Sequence, residues 1–470
     1  MSTPTVSIVV PVFNAEATIG ACLESVVVQS FQDWDCVVVD DGSNDRGPEI
    51  AGGFAARDSR IRVVRQPNTG LPGARNTGIV HAKGAWVRFL DADDWLLNRS
   101  HETLLEAARR SGGALVAGGA RYVSESGEDL GWSFRPGIEA APLEVLVEAH
   151  RFQVSAAMVR REALAGTPFR DDAAGSEDLD VWLRLCEAGV TPACTDADVV
   201  AYRLRHAGMS RDHAKMARVA ARVIAACFER CPGLEEVEPG KRSRCLRRVA
   251  LERASALSLT HGPDAGAAQW RSASIDPDRA PTSAEAASAA CWSVPYADCL
   301  PPTAWRDDAQ ATRYLRALSG LWDALGVEPF GAIRSLAALI VEPRAVAENI
   351  AASVDAGRGV VILGLGRNAA VLVPVLARNG IPVFGCDGTA SPGTTRVVGG
   401  VPVPVISPRE ATRNGVPVLT AWSAPALEGA IGGRCLKWAE SAADISLSEF
   451  ERLRALTPRD ETIHLQGRAA

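Results

Sequence analysis

Three aspartates follow a predicted strand so closely that they could form a cation site. The segment Phe89–Trp95 reads FLDADDW and places Asp91, Asp93 and Asp94 within four positions, directly after a mostly apolar, β-prone run. Carboxylates this close repel one another unless a positive charge offsets them. Two interpretations stay open here: a divalent cation, or a solvated turn or helix N-cap, where aspartate is favoured.

Two more acidic pairs could take part in binding or catalysis. Asp40 and Asp41 end the apolar run Cys36–Val39, although Asp40 has an ordinary interpretation as a turn or cap carboxylate. Glu177 and Asp178 lie in SEDLDVW, which is typical of a helix N-terminus with acidic residues in its first turn. A carboxylate at such a helix start can also face a cleft and accept a proton from a hydroxyl group.

Alternating strands and helices would position these acids. From residue 5 to about residue 120, apolar strands alternate with amphipathic helices, which predicts repeated β-α-β units and a mainly parallel sheet. In such sheets ligands bind beyond the carboxyl ends of the strands. Asp40, Asp41 and the aspartates at 91–94 all fall at those ends.

The chain is long enough for more than one hydrophobic core. Its 470 residues predict an α/β domain at 1–212, a helical connector at 213–355 and a smaller Rossmann-like α/β domain at 356–470. A Pro/Ser/Ala-rich stretch around residues 274–303 interrupts the helical part.

Composition excludes several classes of protein. With 47% hydrophobic and 23% charged residues and a net charge of −6, the chain has no basic footprint that would favour nucleic acid. No run of about 18 uncharged apolar residues predicts a transmembrane helix, and the N-terminal residues do not resemble a signal peptide. Eleven cysteines without a CxxC pair indicate a reduced, cytoplasmic protein without structural zinc.

Five segments within the first 210 residues together resemble glycosyltransferase family 2 on a GT-A fold. They are VSIVVPVFN (6–14), VDDGSND (39–45), NTGLPGARNTG (68–78), FLDADDW (89–95) and SEDLDVW (176–182). Each motif is weak alone, but their order and spacing are specific. The resemblance covers about 45% of the chain and implies transfer of a sugar from a nucleotide-diphosphate sugar, with UDP as the expected nucleotide.

The resemblance implies a metal side of the site. It makes Asp93 the direct ligand of Mn²⁺ or Mg²⁺, Asp91 a contact to ribose or to a metal-bound water, and Asp94 a further or outer ligand. His206 in YRLRHAGMS would lie over the diphosphate and the metal, with an arginine in support. Because LR separates Arg203 from His206, the choice between Arg203 and Arg205 stays open. A hard cation would neutralise charge on the leaving diphosphate.

The resemblance also implies residues that bind the sugar donor and a residue that acts as general base. Asp41 would accept a hydrogen bond from a ring N–H of the nucleotide base, as uracil offers one. Asp178 would remove the acceptor proton, with Glu177 orienting it or touching the acceptor. The expected donor-binding residues are Pro11, Phe13, Asp40, Asp41, Arg75, Asn76, Asp91 and Arg203, with Arg75 pairing with phosphate at a helix start.

A second nucleotide motif lies near the C-terminus. GLGRNA (364–369) matches G-x-G-x-x-A after a strand, and Asp387 follows about twenty residues later, so that Gly364, Gly366 and Asp387 are candidate nucleotide contacts. The segment resembles small Rossmann-like domains attached to sugar-modifying enzymes. Nucleotide binding and a docking or oligomerisation role both stay open.

The expected function is a metal-dependent inverting glycosyltransferase of surface polysaccharide or glycoconjugate synthesis, with inversion implied by the resemblance. Its acceptor would be a saccharide, a lipid-linked saccharide or a polymer, met in the cytoplasm or at the inner membrane face. A homo-oligomer through the helical or C-terminal region is left open. Two alternatives remain: a non-catalytic nucleotide-sugar-binding or scaffold protein, and an oxidoreductase that binds NAD(P) at GLGRNA.

Overall fold

A computed structural model describes most of the first 328 residues. The described ranges are 3–136, 140–205, 212–273, 279–298, 304 and 308–328, followed by residues 332 and 336 and the pieces 360–363, 376–378, 381–386, 395–398, 401–404, 418–420 and 435–437. The chain forms two compact units, Met1–Ala280 with Trp292–Ala304 and Pro281–Cys291 with Trp305–Ala470. The three-part division expected from the sequence stays a prediction.

The first unit is built on a nine-stranded mixed sheet with the order β3-β2-β1-β4-β8-β6-β9-β5, and β7 pairs with β6. Strands β3, β2, β1 and β4 are parallel, whereas β8 runs antiparallel to β4 and β6. The strands are β1 Val6–Val12, β2 Trp34–Asp40, β3 Ile61–Arg65, β4 Trp86–Phe89, β5 Trp95–Leu96, β6 Leu115–Val123, β7 Asp129–Phe134, β8 Ala157–Arg160 and β9 Ala193–Arg203. The predicted α/β class and mainly parallel first half of the sheet are confirmed.

Ten helices belong to the described part of this unit. They are α1 Ile19–Val27, α2 Gly47–Arg57, α3 Gly70–His81, α4 Ser100–Ser111, α5 Leu143–Leu146, α6 Glu177–Glu187, α7 His213–Arg230, α8 Gly233–Val237, α9 Lys241–His261 and α10 Pro263–Ala273. Helices α7 and α9 lie in the part of the chain, 213–355, that the sequence predicts to be helical.

Strand β1 carries apolar side chains on both faces of the sheet. All seven of its residues are buried, which is typical of a strand covered on both sides. Val9 joins one hydrophobic core, whereas Ile8 and Val10 join another, as the two-residue period of a strand requires. The two cores hold the carboxyl ends of β1 and β2 rigidly below the candidate site.

The hydrophobic core of this unit continues beyond residue 212. Apolar residues of α7 and α9 lie in the same cluster as Leu179 and Trp182 of α6; they include Val219, Val223, Ile224, Phe228, Leu246 and Val249. Helices α7 and α9 therefore pack as part of the N-terminal core.

The described part of the second unit contains α12 Asp308–Ala324 and six short strands, while α11 comprises Ser283–Asp298. Strands β10 Val360–Leu363, β11 Val383–Cys386, β14 Val418–Thr420 and β15 Cys435–Lys437 form a parallel sheet in the order β11-β10-β14-β15. Strands β12 Thr395–Val398 and β13 Val401–Pro404 pair antiparallel. Gly364, Gly366 and Asp387 lie outside the described residues, so the second nucleotide site stays a prediction.

The helices differ from membrane-spanning segments in length or in polarity. Within the ranges given above, none of them combines the length and the apolar character that a bilayer span needs.

Candidate functional site

A tight turn carries the three clustered aspartates. It follows β4, and the Asp94 backbone N–H donates to the Asp91 carbonyl at 3.0 Å. The side chains of Asp91 and Asp93 are 25% and 32% exposed, whereas Asp94 is buried. The turn therefore separates two accessible carboxylates from one that faces inward.

Asp94 anchors this turn. One carboxylate oxygen accepts a hydrogen bond from the Ser155 hydroxyl at 2.7 Å, and the other accepts one from the Arg203 backbone N–H at 3.0 Å. Burial, with repulsion from Asp93 and Asp91, raises the pKa of Asp94 well above its ordinary value. The structure thus gives Asp94 internal partners, and its role as a further or outer ligand of the metal stays a prediction.

Arg205, rather than Arg203, faces the carboxylate of Asp93. Arg205 Nη1 lies 3.5 Å from Asp93 Oδ2. Arg203 donates to the backbone carbonyls of Asp93 and Glu125 at 2.9 and 2.6 Å, and its guanidinium lies 5.0 Å from the Trp95 ring centroid. Burial, followed by repulsion from Asp91, raises the pKa of Asp93, although Arg205 opposes the shift. His206 lies outside the described residues.

Arg75 joins the aspartate turn to the start of α6. Its guanidinium is buried and donates to Asp91 at 2.7 Å and to Glu177 at 2.6 Å. Burial disfavours its charge, but Asp91 and Glu177 more than offset that cost and raise the pKa of Arg75. The Arg75 guanidinium, which was expected to pair with phosphate, pairs here with two carboxylates.

Asn76 binds backbone rather than the acidic cluster. Its side-chain nitrogen donates to the Phe169 carbonyl at 2.8 Å, and its oxygen accepts from the Phe169 N–H at 2.8 Å. Because its amide satisfies this backbone segment at both ends, the geometry assigns Asn76 to loop structure.

Glu177 and Asp178 begin α6, as the sequence predicted, with different surroundings. Glu177 is buried and also accepts from the Gly175 N–H at 2.6 Å. Asp178 is partly exposed; one oxygen accepts from the Leu179 N–H at 2.8 Å, and the other lies 3.4 Å from His150 Nε2. Sequence reasoning missed His150, because a single histidine outside any motif carries no distinguishing signal.

Asp41 holds the loop that leads into α3. Its carboxylate accepts hydrogen bonds from the Gln66 side chain at 2.7 Å, from the N–H and hydroxyl of Thr69 at 2.9 and 3.2 Å, and from the Gly70 N–H at 2.8 Å. Asp40 accepts from the Ser43 N–H at 2.9 Å and pairs with Arg65 at 3.1 Å. Both carboxylates therefore bind neighbouring protein groups at the carboxyl end of β2.

Pro11 and Phe13 lie at the end of β1, beside this edge. Pro11 is buried within the strand, and Phe13 follows it with half of its surface exposed (51%). Next to Phe13, Asn14 adopts a positive φ of 50°, and its backbone N–H donates to the Ser43 hydroxyl at 3.1 Å. An exposed aromatic ring beside an ordered loop can stack on a planar ligand.

Asp91 and Asp93 could bind a hard cation whose remaining ligands come from outside this turn. No group of three or more His, Cys, Asp or Glu side chains arranged to hold a metal occurs among the residues that the structure describes. Arg75 pairs with Oδ1 of Asp91 rather than with Oδ2, and the Asp93 carboxylate lies 3.5 Å from Arg205. Mg²⁺ commonly binds through one or two carboxylates together with substrate phosphates.

Comparison with known proteins gives a domain-level match. Residues 7–166 match the model of glycosyl transferase family 2. The Bacillus subtilis glycosyltransferase EpsJ is 44% identical over 108 residues, which are 23% of this chain and 31% of EpsJ. The Escherichia coli UDP-Glc:alpha-D-GlcNAc-diphosphoundecaprenol beta-1,3-glucosyltransferase WfgD is 41% identical over 96 residues, 20% of this chain and 37% of WfgD.

The similarity to a solved structure is weak. Residues 1–349 of Staphylococcus aureus TarS are 17% identical with a TM-score of 0.44, and the match covers 70% of this chain and 90% of that one. The chain spans less than half the length of EpsJ and WfgD, so these two relatives describe one part of it. The match to the glycosyl transferase family 2 model therefore applies to residues 7–166 of the chain.

Proposed function

We propose that the chain is a metal-dependent, inverting glycosyltransferase that moves a sugar from a UDP-linked donor to an acceptor hydroxyl. The contact of Arg75 with both Asp91 and Glu177 carries this proposal. It joins the turn that would serve the diphosphate to the helix start that would serve the acceptor. One site thus holds groups for both halves of a transfer reaction.

Asp178 is the general base of this proposal. As the acceptor oxygen forms its bond to the anomeric carbon, the bond from that carbon to the diphosphate breaks, and Asp178 takes the hydroxyl proton. Its carboxylate is partly exposed, whereas Glu177 is held by Arg75 and the Gly175 N–H. Glu177 therefore orients the helix start, and Asp178 meets the acceptor.

Asp93 and Asp91 would hold Mn²⁺ or Mg²⁺. When bound, such a cation neutralises charge that develops on the leaving diphosphate. The raised pKa of Asp93, caused by burial and by Asp91, supports this assignment because a nearby positive charge would relieve both costs. Arg205 contributes a fixed positive charge beside Asp93.

The proposed donor and acceptor classes rest on the name of a relative and on Phe13 and Asp41, where the nucleotide base would bind. WfgD uses UDP-Glc and a diphosphoundecaprenol-linked acceptor, as its name states. Phe13 offers an exposed ring for the base, and Asp41 a carboxylate at the same edge. We infer a UDP-sugar donor, a saccharide or lipid-linked acceptor, and a cytoplasmic role in surface polysaccharide synthesis.

Release of UDP from a panel of nucleotide sugars, with Mn²⁺ and with EDTA, tests the proposal. We expect Mn²⁺-dependent UDP release that Asp93→Asn and Asp178→Asn each reduce at least about 100-fold, as removal of a cation ligand or a general base does. Asp172→Asn alters an exposed ion pair with Arg170 and serves as the control. Near-normal release by either site variant would overturn its assignment, and UDP binding without any release would indicate a non-catalytic binder.

A further inference from the structure

One short segment, residues 150–155 between α5 and β8, contacts both halves of the proposed site. His150 lies beside Asp178, and the Ser155 hydroxyl lies between Asp94 and the Asp91 backbone. We propose that this segment is a positioning element that sets the metal-side turn through Ser155 and the general base through His150. The inference rests on the proposed function and deepens it.

Ser155 ties the turn at two points with one hydroxyl. It donates to Asp94 Oδ2 at 2.7 Å and accepts from the Asp91 N–H at 3.2 Å. Its own carbonyl accepts from buried Arg88 at 3.2 Å. Since Ser155 is fully buried, water cannot replace these contacts without a rearrangement. The hydroxyl therefore holds the turn on which Asp91 and Asp93 lie.

His150 holds the other half. Its Nε2 atom is buried without a hydrogen-bond partner and lies 3.4 Å from Asp178 Oδ2. The Leu179 N–H donates to the other oxygen, so His150 and Leu179 contact different oxygens of the Asp178 carboxylate. Contacts at a general base are often long before substrate binds and shorten in the complex.

The middle of the segment is anchored in the hydrophobic core. Phe152 is fully buried, and its ring centroid lies 5.8 Å from that of Trp182 on α6, the helix that begins beside Asp178. Gln153 donates to the Tyr122 hydroxyl at 2.9 Å. His150 and Ser155 thus extend from one rigid support toward the base and toward the turn.

The His150 contact is tested by a double-mutant cycle on Mn²⁺-dependent UDP release from UDP-glucose and UDP-N-acetylglucosamine. We expect His150→Ala to lower kcat about 10- to 100-fold with little change in the donor KM, because a misplaced base loses rate rather than binding. His150→Gln, which keeps an N–H donor, should recover most of that loss. In an Asp178→Asn background His150→Ala should cost nothing further.

His81 is exposed, and His81→Ala is the matched control. Normal kcat in His150→Ala, or an equal further loss in the Asp178→Asn background, would overturn the role of His150. If the wild-type chain releases no UDP at all, the proposed function fails instead, so the two failures are distinguishable.

The Ser155 contact is tested by Mn²⁺ binding, followed by electron paramagnetic resonance of the free ion without any turnover. We expect Ser155→Ala to weaken Mn²⁺ binding about 10- to 100-fold, as loss of a group that orients metal ligands does. Ser133→Ala removes a similar serine–aspartate hydrogen bond, to Asp198 at 2.8 Å, away from the site and should bind Mn²⁺ normally. Unchanged Mn²⁺ affinity in a folded Ser155→Ala protein would overturn this half of the proposal.

Discussion

At the scale of single residues, the site is organised by a buried positive charge between two carboxylates. Arg75 is as buried as the core leucines, yet it remains charged because Asp91 and Glu177 flank it. Removing one partner of such a group leaves a buried charge uncompensated, which is far more costly than replacing the whole set.

Arg75→Met should therefore lower the free energy of unfolding by about 3–5 kcal/mol. Adding Glu177→Gln should restore part of this loss, because one of the two stranded carboxylates is then neutral. Urea unfolding of both variants measures the difference. Arg46→Met, which breaks an exposed pair with Glu49, is the matched control and should change little. Additive losses in the double variant would contradict this account.

Asp94 should make the metal-free protein less stable as pH rises. Its raised pKa means that the folded chain binds this proton more tightly than the unfolded chain. The stabilising contribution is therefore complete below the ordinary aspartate pKa of about 4 and is lost as pH rises through the raised value.

Denaturation with urea in EDTA, between about pH 2 and pH 8, measures the pH dependence of the stability. Asp94→Asn should flatten the decline toward high pH relative to the wild-type chain. Asp198, whose pKa is lowered by hydrogen bonds to Arg135 and Ser133 in spite of its burial, has the opposite sign. Asp198→Asn should therefore flatten the loss of stability at low pH. Identical pH profiles for wild type and Asp94→Asn would refute the assignment.

At the scale of elements, α3 is held between strand and loop. Its Gly78 lies so close to β1 that an added Cβ would overlap the Val9 side chain. At its start, the N–H groups of Thr69 and Gly70 donate to Asp41. Arg75 lies one turn into this helix, so the packing of α3 on β1 sets the position of the guanidinium.

Gly78→Ala should lower the free energy of unfolding by about 1–3 kcal/mol, as overpacking does in a close contact. Val9→Ala in the same chain should recover part of the loss. Gly53→Ala is a matched control on α2, where nothing lies within 4 Å of the added Cβ. There the change should stabilise the helix by about 0.5–1 kcal/mol. Equal effects at both glycines would contradict the close packing.

At the scale of the whole molecule, the N-terminal core extends into helices that follow the matched domain. Residues of α7 and α9 complete the cluster that contains Trp182, so an end at residue 212 would leave an apolar face of α6 uncovered. The domain boundary expected at residue 212 thus separates elements that share one core.

A chain of residues 1–212 should aggregate or unfold without cooperativity, whereas residues 1–304 should unfold in one cooperative transition. Exposure of a large apolar face is the physical reason. Thermal unfolding and size-exclusion chromatography of the two proteins provide the comparison. A soluble, cooperative 1–212 chain would show that α7 and α9 are dispensable for the core.

The sequence predicted the parallel strands well because they are apolar at nearly every residue, and it placed the acids correctly at strand and helix ends. It did not predict the partners of those acids. Arg75 and Glu177 are 102 residues apart, and Ser155 and Asp94 are 61 apart. Such contacts depend on tertiary packing, and neither a lone serine nor a lone histidine differs locally from a surface residue.

The four hydrogen bonds that Asp41 accepts from the loop before α3 bear on protein engineering. A designer who wished to alter base preference by replacing Asp41 would also remove the support of that loop, at a cost typical of a lost helix cap, about 0.5–2 kcal/mol. The Phe13 ring, by contrast, is half exposed, so its replacement removes less buried surface. A library that varies Phe13 first would therefore sample new donors with less damage to the fold.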